Sequence, residues 1–151
     1  MRNYEDLQVW RKAHNLTLEI YKNTRCFPVE ERFGLTNQIR RSRSSIGANL
    51  AEGCGRRSDA EMARFVQIAM GSGAELSYDL RLARDLDLLS RQSFERLRSD
   101  LSEVMRMLSS LSQKLRIRTD VVQLKAKSFE TGPVARSATF MLVSNLRITV
   151  G

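Results

Sequence analysis

Seven apolar residues, Phe94, Leu97, Leu101, Val104, Leu108, Leu111 and Leu115, follow one another in alternating steps of three and four. That spacing keeps them on one face of an α-helix and puts them on both faces of a strand. The segment from about Ser93 to Arg116 is therefore expected to be a long amphipathic helix. Such a helix leaves a stripe that only other helices of similar pattern can cover.

Three earlier segments carry that pattern. The first runs from about Glu5 to Thr24 and shows two apolar rows. Leu7, Trp10, His14, Leu18 and Tyr21 form one row, and Val9, Ala13, Leu16 and Ile20 form the other. A surface helix of a monomer needs one stripe. The second row predicts either a contact with another subunit, centred on Trp10, His14 and Tyr21, or deep burial between neighbours. Phe27-Pro28 closes this element, because proline removes an N–H and restricts the residue before it.

A second helix starts after Gly34, with Leu35, Ile39, Ile46 and Leu50 on one face. Its Gly47 is expected to permit close approach of a neighbouring backbone or a local bend. The third opens on Ser58-Asp59-Ala60-Glu61, a capping-box pattern. Met62, Phe65, Ala69, Ser72, Leu76, Leu80, Ala83 and Leu86 then continue to about Leu89. Gly71-Ser72-Gly73 within it predicts tight packing against the small residues of the second helix. The expected fold is all-α, an up-and-down four-helix bundle over residues 1–118. Residues 119–151 are expected to be a weakly ordered tail, disordered or with a weak hairpin from Phe140–Val143 and Leu146–Val150.

Composition narrows the function. The 151 residues suit one domain. The formal charge of +8 rests on 25 Lys and Arg against 17 Asp and Glu, a balance that favours polyanionic partners. No run approaches the ~20 apolar residues of a membrane span, and the N-terminus lacks a signal-peptide core, which predicts a cytoplasmic protein with no membrane partner. Cys26 and Cys54 lie outside any C-x-x-C spacing and are expected to be free thiols. Asn15-Leu16-Thr17 matches a glycosylation acceptor but has no secretory context.

Catalytic sets do not assemble. His14 is the single histidine and lies on an apolar face. No metal site and no cofactor are expected. Gly53-x-Gly55-x-x-Ser58 lacks the preceding strand and third glycine of a dinucleotide loop. Glu30 with Glu31, and Asp85 with Asp87, read as solvated end charges. Glu52 and Glu75, beside small residues, are candidates for partial burial opposite an arginine. The positive signal is arginine: Arg40, Arg41 and Arg43 fringe the second helix, and Arg56-Arg57 follow its glycine turn just before a helix start, where an anion is favoured. These five are the candidate nucleic-acid-binding residues. Aromatics are few, so the recognition expected is of phosphates, not bases.

Several short motifs occur together: Leu7-Gln8-Val9-Trp10, Phe27-Pro28-x-Glu30-x-x-Phe33-Gly34-Leu35, Gln38-x-x-Arg41, Ser45-Ile46-x-Ala48-Asn49-Leu50-Ala51-Glu52-Gly53 and Ala69-x-Gly71-Ser72-x-x-Glu75-Leu76. Over about residues 4–116 the chain thereby resembles the four-helix-bundle family named for the 23S rRNA intervening sequence. The resemblance implies a bacterial, non-enzymatic protein that assembles into a ring-like homopentamer. It also implies a setting either within insertions of ribosomal RNA genes or beside diversity-generating retroelements, whose related accessory protein binds a reverse transcriptase and nucleic acid. The chain departs from the family pattern at Ser42, Arg43 and Ser44, where small apolar residues are usual, and at Gly47, where proline is frequent.

The function expected is that of an oligomeric RNA-binding or nucleoprotein accessory protein. The alternative is a protein-interaction scaffold that docks a reverse transcriptase or another partner, with the arginines pairing acids at subunit contacts.

Overall fold

The computed structural model describes residues 3–130, with side-chain surroundings through Lys127. A 3-10 turn at Tyr4–Asp6 leads into α1 (Gln8–Asn23), and a second at Val29–Arg32 leads into α2 (Leu35–Cys54). Then follow α3 (Asp59–Asp85) and α4 (Arg91–Glu130). Each helix packs on its two neighbours in the cycle α1, α2, α3, α4 and back to α1, and the backbones of the diagonal pairs stay further apart. This is the up-and-down bundle that the four apolar stripes require.

The core comes from those stripes. Val9, Ala13, Leu16 and Ile20 of α1 are buried, as are Leu35, Ile39, Ile46 and Leu50 of α2. Met62, Val66, Ala69, Leu76, Leu80 and Ala83 of α3 face Phe94, Leu97, Leu101, Val104, Leu108 and Leu115 of α4. Each fully buried Leu or Ile contributes about 1.5–3 kcal/mol of apolar transfer. The α1–α4 seam is closed outside the core by Lys12–Glu103 at 2.9 Å and by Arg96–Glu19.

The glycines divide their work. A Cβ on Gly53 would lie 3.0 Å from the Phe65 Cβ, so the end of α2 crosses α3 closely there. Gly73 faces the Met105 side chain of α4, not α2, and a Cβ on Gly71 would meet nothing. Of the expected small-residue contact between α2 and α3, the central part is the hydroxyl pair Ser72 Oγ to Ser45 Oγ at 2.9 Å. Gly47 needs no special space, since an added Cβ would sit 3.7 Å from the Trp10 Nε1.

Two boundaries differ from the sequence expectation. Helix α4 continues through residues 117–130, where Ile117, Val121 and Leu124 follow one another in steps of four and three as a partly covered row offset from Leu115. The proposed hairpin lies outside the described residues. Helix α3 stops at Asp85, before Leu89, in a motif without glycine. The Leu88 N–H donates to the Ala83 carbonyl at 2.9 Å and the Asp87 N–H to the Arg84 carbonyl at 3.0 Å. This is the Schellman pattern, with Asp87 at φ 56° in the position glycine usually takes. Aspartate tolerates that conformation better than most residues but at a cost. Asp87→Gly should therefore raise stability by about 0.5–1 kcal/mol in urea denaturation; a loss of stability would show that the aspartate side chain stabilises the turn.

Candidate nucleic-acid interface

The five candidate arginines occupy three different places. Arg40 and Arg43 share a flank of α2 and turn toward α1. The Arg40 guanidinium donates to the Thr24 Oγ1 at 3.1 Å and to the Thr24 carbonyl at 3.2 Å. Thr24 caps the C-terminus of α1, where a cation is favoured by unpaired carbonyls and the helix dipole. Arg40 also lies 5.1 Å from the centre of the Tyr21 ring.

Arg43 is deeper. Its guanidinium carbon lies 3.4 Å from the Tyr21 ring centre and the residue is only 2% exposed. Its Nε and Nη1 have no hydrogen-bond partner. Burial pulls this guanidinium below the usual arginine range, against the favourable influence of Tyr21. The expectation that Arg43 fringes the surface is thus corrected: it is a core cation under an aromatic lid. The residue before it in the stripe, Ile39, and the next, Ile46, are both buried, so position 43 falls inside the α2 face.

Arg41 points the other way. It is exposed and borders a cleft of about 550 Å³ between α2 and α3, with Gln38, Ser42, Ser45, Ser72, Glu75 and Asp79. Arg56 and Arg57 are exposed in the α2–α3 turn, roughly 20 Å along the helix axis from Arg41 at 1.5 Å per residue. Arg56 pairs with Glu52 one turn back and lies 4.8 Å over the Phe65 ring. Arg57 borders a second cleft of about 490 Å³ with Ser58, Asp59, Arg118 and Val122.

The helix start beside Arg57 is already satisfied within the chain. The Glu61 N–H donates to the Ser58 Oγ at 3.2 Å, and the Ser58 N–H donates to the Glu61 carboxylate at 3.3 Å, which completes the capping box. Asp59 adds a carboxylate there and pairs with Arg118 at 2.9 Å. An incoming anion would compete with these acids, so the basic turn offers guanidinium groups more than open backbone donors.

The acids also resolve differently from the sequence reading. Glu52 is exposed and pairs locally, and Glu75 is exposed at the α2–α3 cleft. The buried carboxylate is Asp79, one turn beyond Glu75 and 7% exposed. Burial raises its pKa above the usual aspartate range, the Ser42 hydroxyl opposes that rise, and the Glu75 charge adds to it. The spacing of Asp79 from Leu76 and Ala83 was the available sequence signal, since it places the carboxylate at the edge of the α3 stripe.

Helix α4 supplies a basic surface that the motif reading passed over. Arg91, Arg96, Arg98, Arg106, Lys114, Arg116, Arg118, Lys125 and Lys127 are all exposed along it. The signal was the charge count of this one segment. On α1, the row expected to be an interface is partly open: Tyr21 is 44% and Leu18 46% exposed. Trp10 and His14 stack with ring centres 5.1 Å apart at 7°, and Tyr4 leans on Trp10 at 4.8 Å. Among the described residues there is no cluster of three or more His, Cys, Asp or Glu that could hold a metal ion, and no helix long and apolar enough to cross a membrane.

Two tests follow from the buried charges. Arg43→Met keeps a long side chain and removes a desolvated cation with two unpaired donors, so it should hold or raise stability by about 1 kcal/mol. A loss above that size in urea denaturation would mean that the charge itself stabilises the α1–α2 seam. For Asp79 the folded protein retains a proton that the unfolded chain has lost, so stability falls as pH rises from the ordinary aspartate range through the raised value. Asp79→Asn should therefore be more stable than the parent at neutral pH, with the difference vanishing below about pH 4. Equal pH profiles by thermal melting would contradict this.

Comparison with known proteins agrees with the bundle. The chain is similar over 70% of its length to the crystal structure of a protein of unknown function from the S23 ribosomal protein family of Bacteroides thetaiotaomicron, with 27% identity and a TM-score of 0.65. The match covers 95% of that chain. Among curated proteins no match is found. The family model described as 23S rRNA-intervening sequence protein matches residues 5–110, which takes in α1, α2, α3 and the first half of α4. The chain therefore belongs to the 23S rRNA-intervening sequence protein family.

Proposed function

We propose that this protein is a non-enzymatic, oligomeric RNA-binding or nucleoprotein accessory protein that acts in the cytoplasm. The observation that carries the reading is the outward basic charge. The chain has a net charge of +8, and Arg41, Arg56 and Arg57 stay exposed after Arg40 and Arg43 are committed to the α1–α2 seam. The exposed cations distributed around α4 extend the same field, although Arg96, Arg98 and Arg118 pair with Glu19, Glu95 and Asp59. Arginine forks suit phosphate oxygens, and the scarcity of surface aromatics beside these cations favours backbone contact over base stacking.

Affinity for a structured RNA should fall steeply with salt, by roughly one unit of log–log slope per phosphate contacted. Arg41→Ala with Arg56→Ala and Arg57→Ala should weaken binding and flatten that slope, in filter-binding or anisotropy titrations over several salt concentrations. Absence of binding at low salt, or an unchanged slope in the triple variant, would sink the proposal.

The self-association part of the reading is supported by the open row of α1. Trp10 and His14 stack on α1, and Leu18 and Tyr21 further along it are nearly half exposed, a surface of the kind that supports a protein contact. A homo-oligomer, in the ring-like pentameric form the family resemblance implies, would bury it. Leu18→Glu should then lower the mass found by light scattering, while a wild-type monomer would remove the oligomer. The same surface supports the second reading, docking of a reverse transcriptase or another protein. Partner capture that survives nuclease treatment and is lost in Leu18→Glu would favour it.

A further inference from the structure

The connection between α1 and α2 turns two apolar side chains outward that the bundle itself does not use. Phe33 is 84% and Val29 71% exposed, four residues apart. Yet the chain on either side is anchored: Phe27 packs against the core and Leu35 is buried. The turn between them is held by its own hydrogen bonds. The Gly34 N–H donates to the Glu31 carbonyl at 3.1 Å, and the Leu35 N–H donates to the Glu31 carboxylate at 3.1 Å. Scattered apolar residues on a surface need no explanation, but an aromatic ring held outward on a fixed turn, with a second apolar group beside it, fits a contact. Glu30, in the same turn, is exposed and makes no ion pair among the described residues.

The seam on the other side of the bundle has the complementary shape. There α3 and α4 border an open groove of about 400 Å³, with Gly73, Ala74 and Ser77 along one wall, Met105 on the other, and the buried Phe94 and Leu101 beneath. Gly73 and Ala74 keep the α3 wall low, and the Met105 thioether adapts to what it meets. Arg81 borders the groove with its guanidinium 5.9 Å over the Phe94 ring and, like Glu30, makes no ion pair among the described residues. Arg98 borders it from α4 and is paired with Glu95 at 3.0 Å. The turn joins α1 to α2 and the groove lies between α3 and α4, so the helix cycle sets them on opposite sides of one chain. Phe33 does not fill the groove of its own chain.

We propose that the α3–α4 groove receives Phe33 and Val29 of a second copy of this chain, with Glu30 of one copy set against Arg81 of the next. Knob and groove are different surfaces, so the contact is heterologous. Each subunit offers its turn to one neighbour and its groove to the other, which gives a closed ring or an open filament according to the rotation between copies. Charge favours this occupant. At +8 overall, two copies brought together at random meet with like charges, whereas the turn carries Glu30 and Glu31 against one base, Arg32, and the groove is bordered by Arg81 and Arg98. An enclosed phenyl ring buries about 150–250 Å², enough to serve as the anchor of such a contact. The contact presupposes self-association, as proposed above, but not that the α1 row is its site.

A complementation experiment with the full chain tests this. Phe33→Asp removes the knob and keeps the groove, while Ala74→Trp fills the groove and keeps the knob. Both positions are exposed, so each variant should melt close to the parent. In light scattering at high protein concentration the parent should be an oligomer and each variant alone a monomer near 17.3 kDa. A mixture of the two variants should give a dimer and nothing larger, because one intact knob meets one intact groove and no second pair is left. Glu30→Arg and Arg81→Glu should each lower the oligomer mass, and the two together in one chain should restore it. A parent oligomer that persists in Phe33→Asp or in Ala74→Trp, or two monomeric variants that give no dimer when mixed, would overturn this contact and leave self-association standing. A monomeric parent would remove both, and binding of an acidic aromatic peptide to that monomer would assign the groove to another protein. None of these readouts depends on RNA affinity.

Discussion

A cation lies inside this bundle. Arg43 occupies a position on α2 that the helical repeat assigns to the core, and it is accommodated because Tyr21 of α1 covers it at 3.4 Å. Arg40, one turn back, binds the end of α1 through Thr24. The α1–α2 seam thus combines the Arg40 hydrogen bonds with the apolar packing of Ile20, Ile39 and Leu16, and encloses Arg43 beneath the Tyr21 ring. Polar contacts of this kind are directional, so they fix the register of α1 against α2 more narrowly than aliphatic packing alone.

The opposite side of α2 repeats the theme with the other sign. Ser42 and Ser45 face Ser72, Glu75 and Asp79 of α3, and the hydroxyl-lined seam opens into a cleft. The middle of α2 therefore separates a cationic seam from an acidic one. Below and above this layer, Ile39, Ile46 and Leu50 restore an apolar core. Three consecutive residues build this arrangement: Ser42 faces the acids, Arg43 enters the core, and Ser44 bonds back to the Arg40 and Arg41 carbonyls at 2.9 Å.

The same division reshapes the functional surface. A cluster that looks continuous in the chain, Arg40 to Arg43, is split between the α1 seam, which takes Arg40 and Arg43, and the α2–α3 cleft, which takes Arg41, because successive residues of a helix point about 100° apart. Charge left for a polyanion lies on Arg41, in the Arg56-Arg57 turn and along α4. That distribution favours contacts spread over a broad surface, in keeping with recognition of a phosphate backbone and not of a small anion in a pocket.

The apolar spacing determined the four helices, their order and the bundle, since each stripe is a local property of the chain and antiparallel neighbours follow from short connections. It also marked the capping box at Ser58 and Glu61, whose two hydrogen bonds are made within four residues. Ends were less legible: the α3 turn uses Asp87 where a glycine would have announced it, and α4 runs past the last leucine of its strict repeat. The charged residues were the least legible of all. Whether Arg43 is a surface group or a core cation depends on Tyr21, a residue distant in sequence, and whether Asp79 or Glu75 is buried depends on how closely α2 and α3 cross at Gly53 and Ser72. Periodicity assigns a residue to a face, but only packing decides what that face meets, and for a charge the surroundings set both its energy and its use.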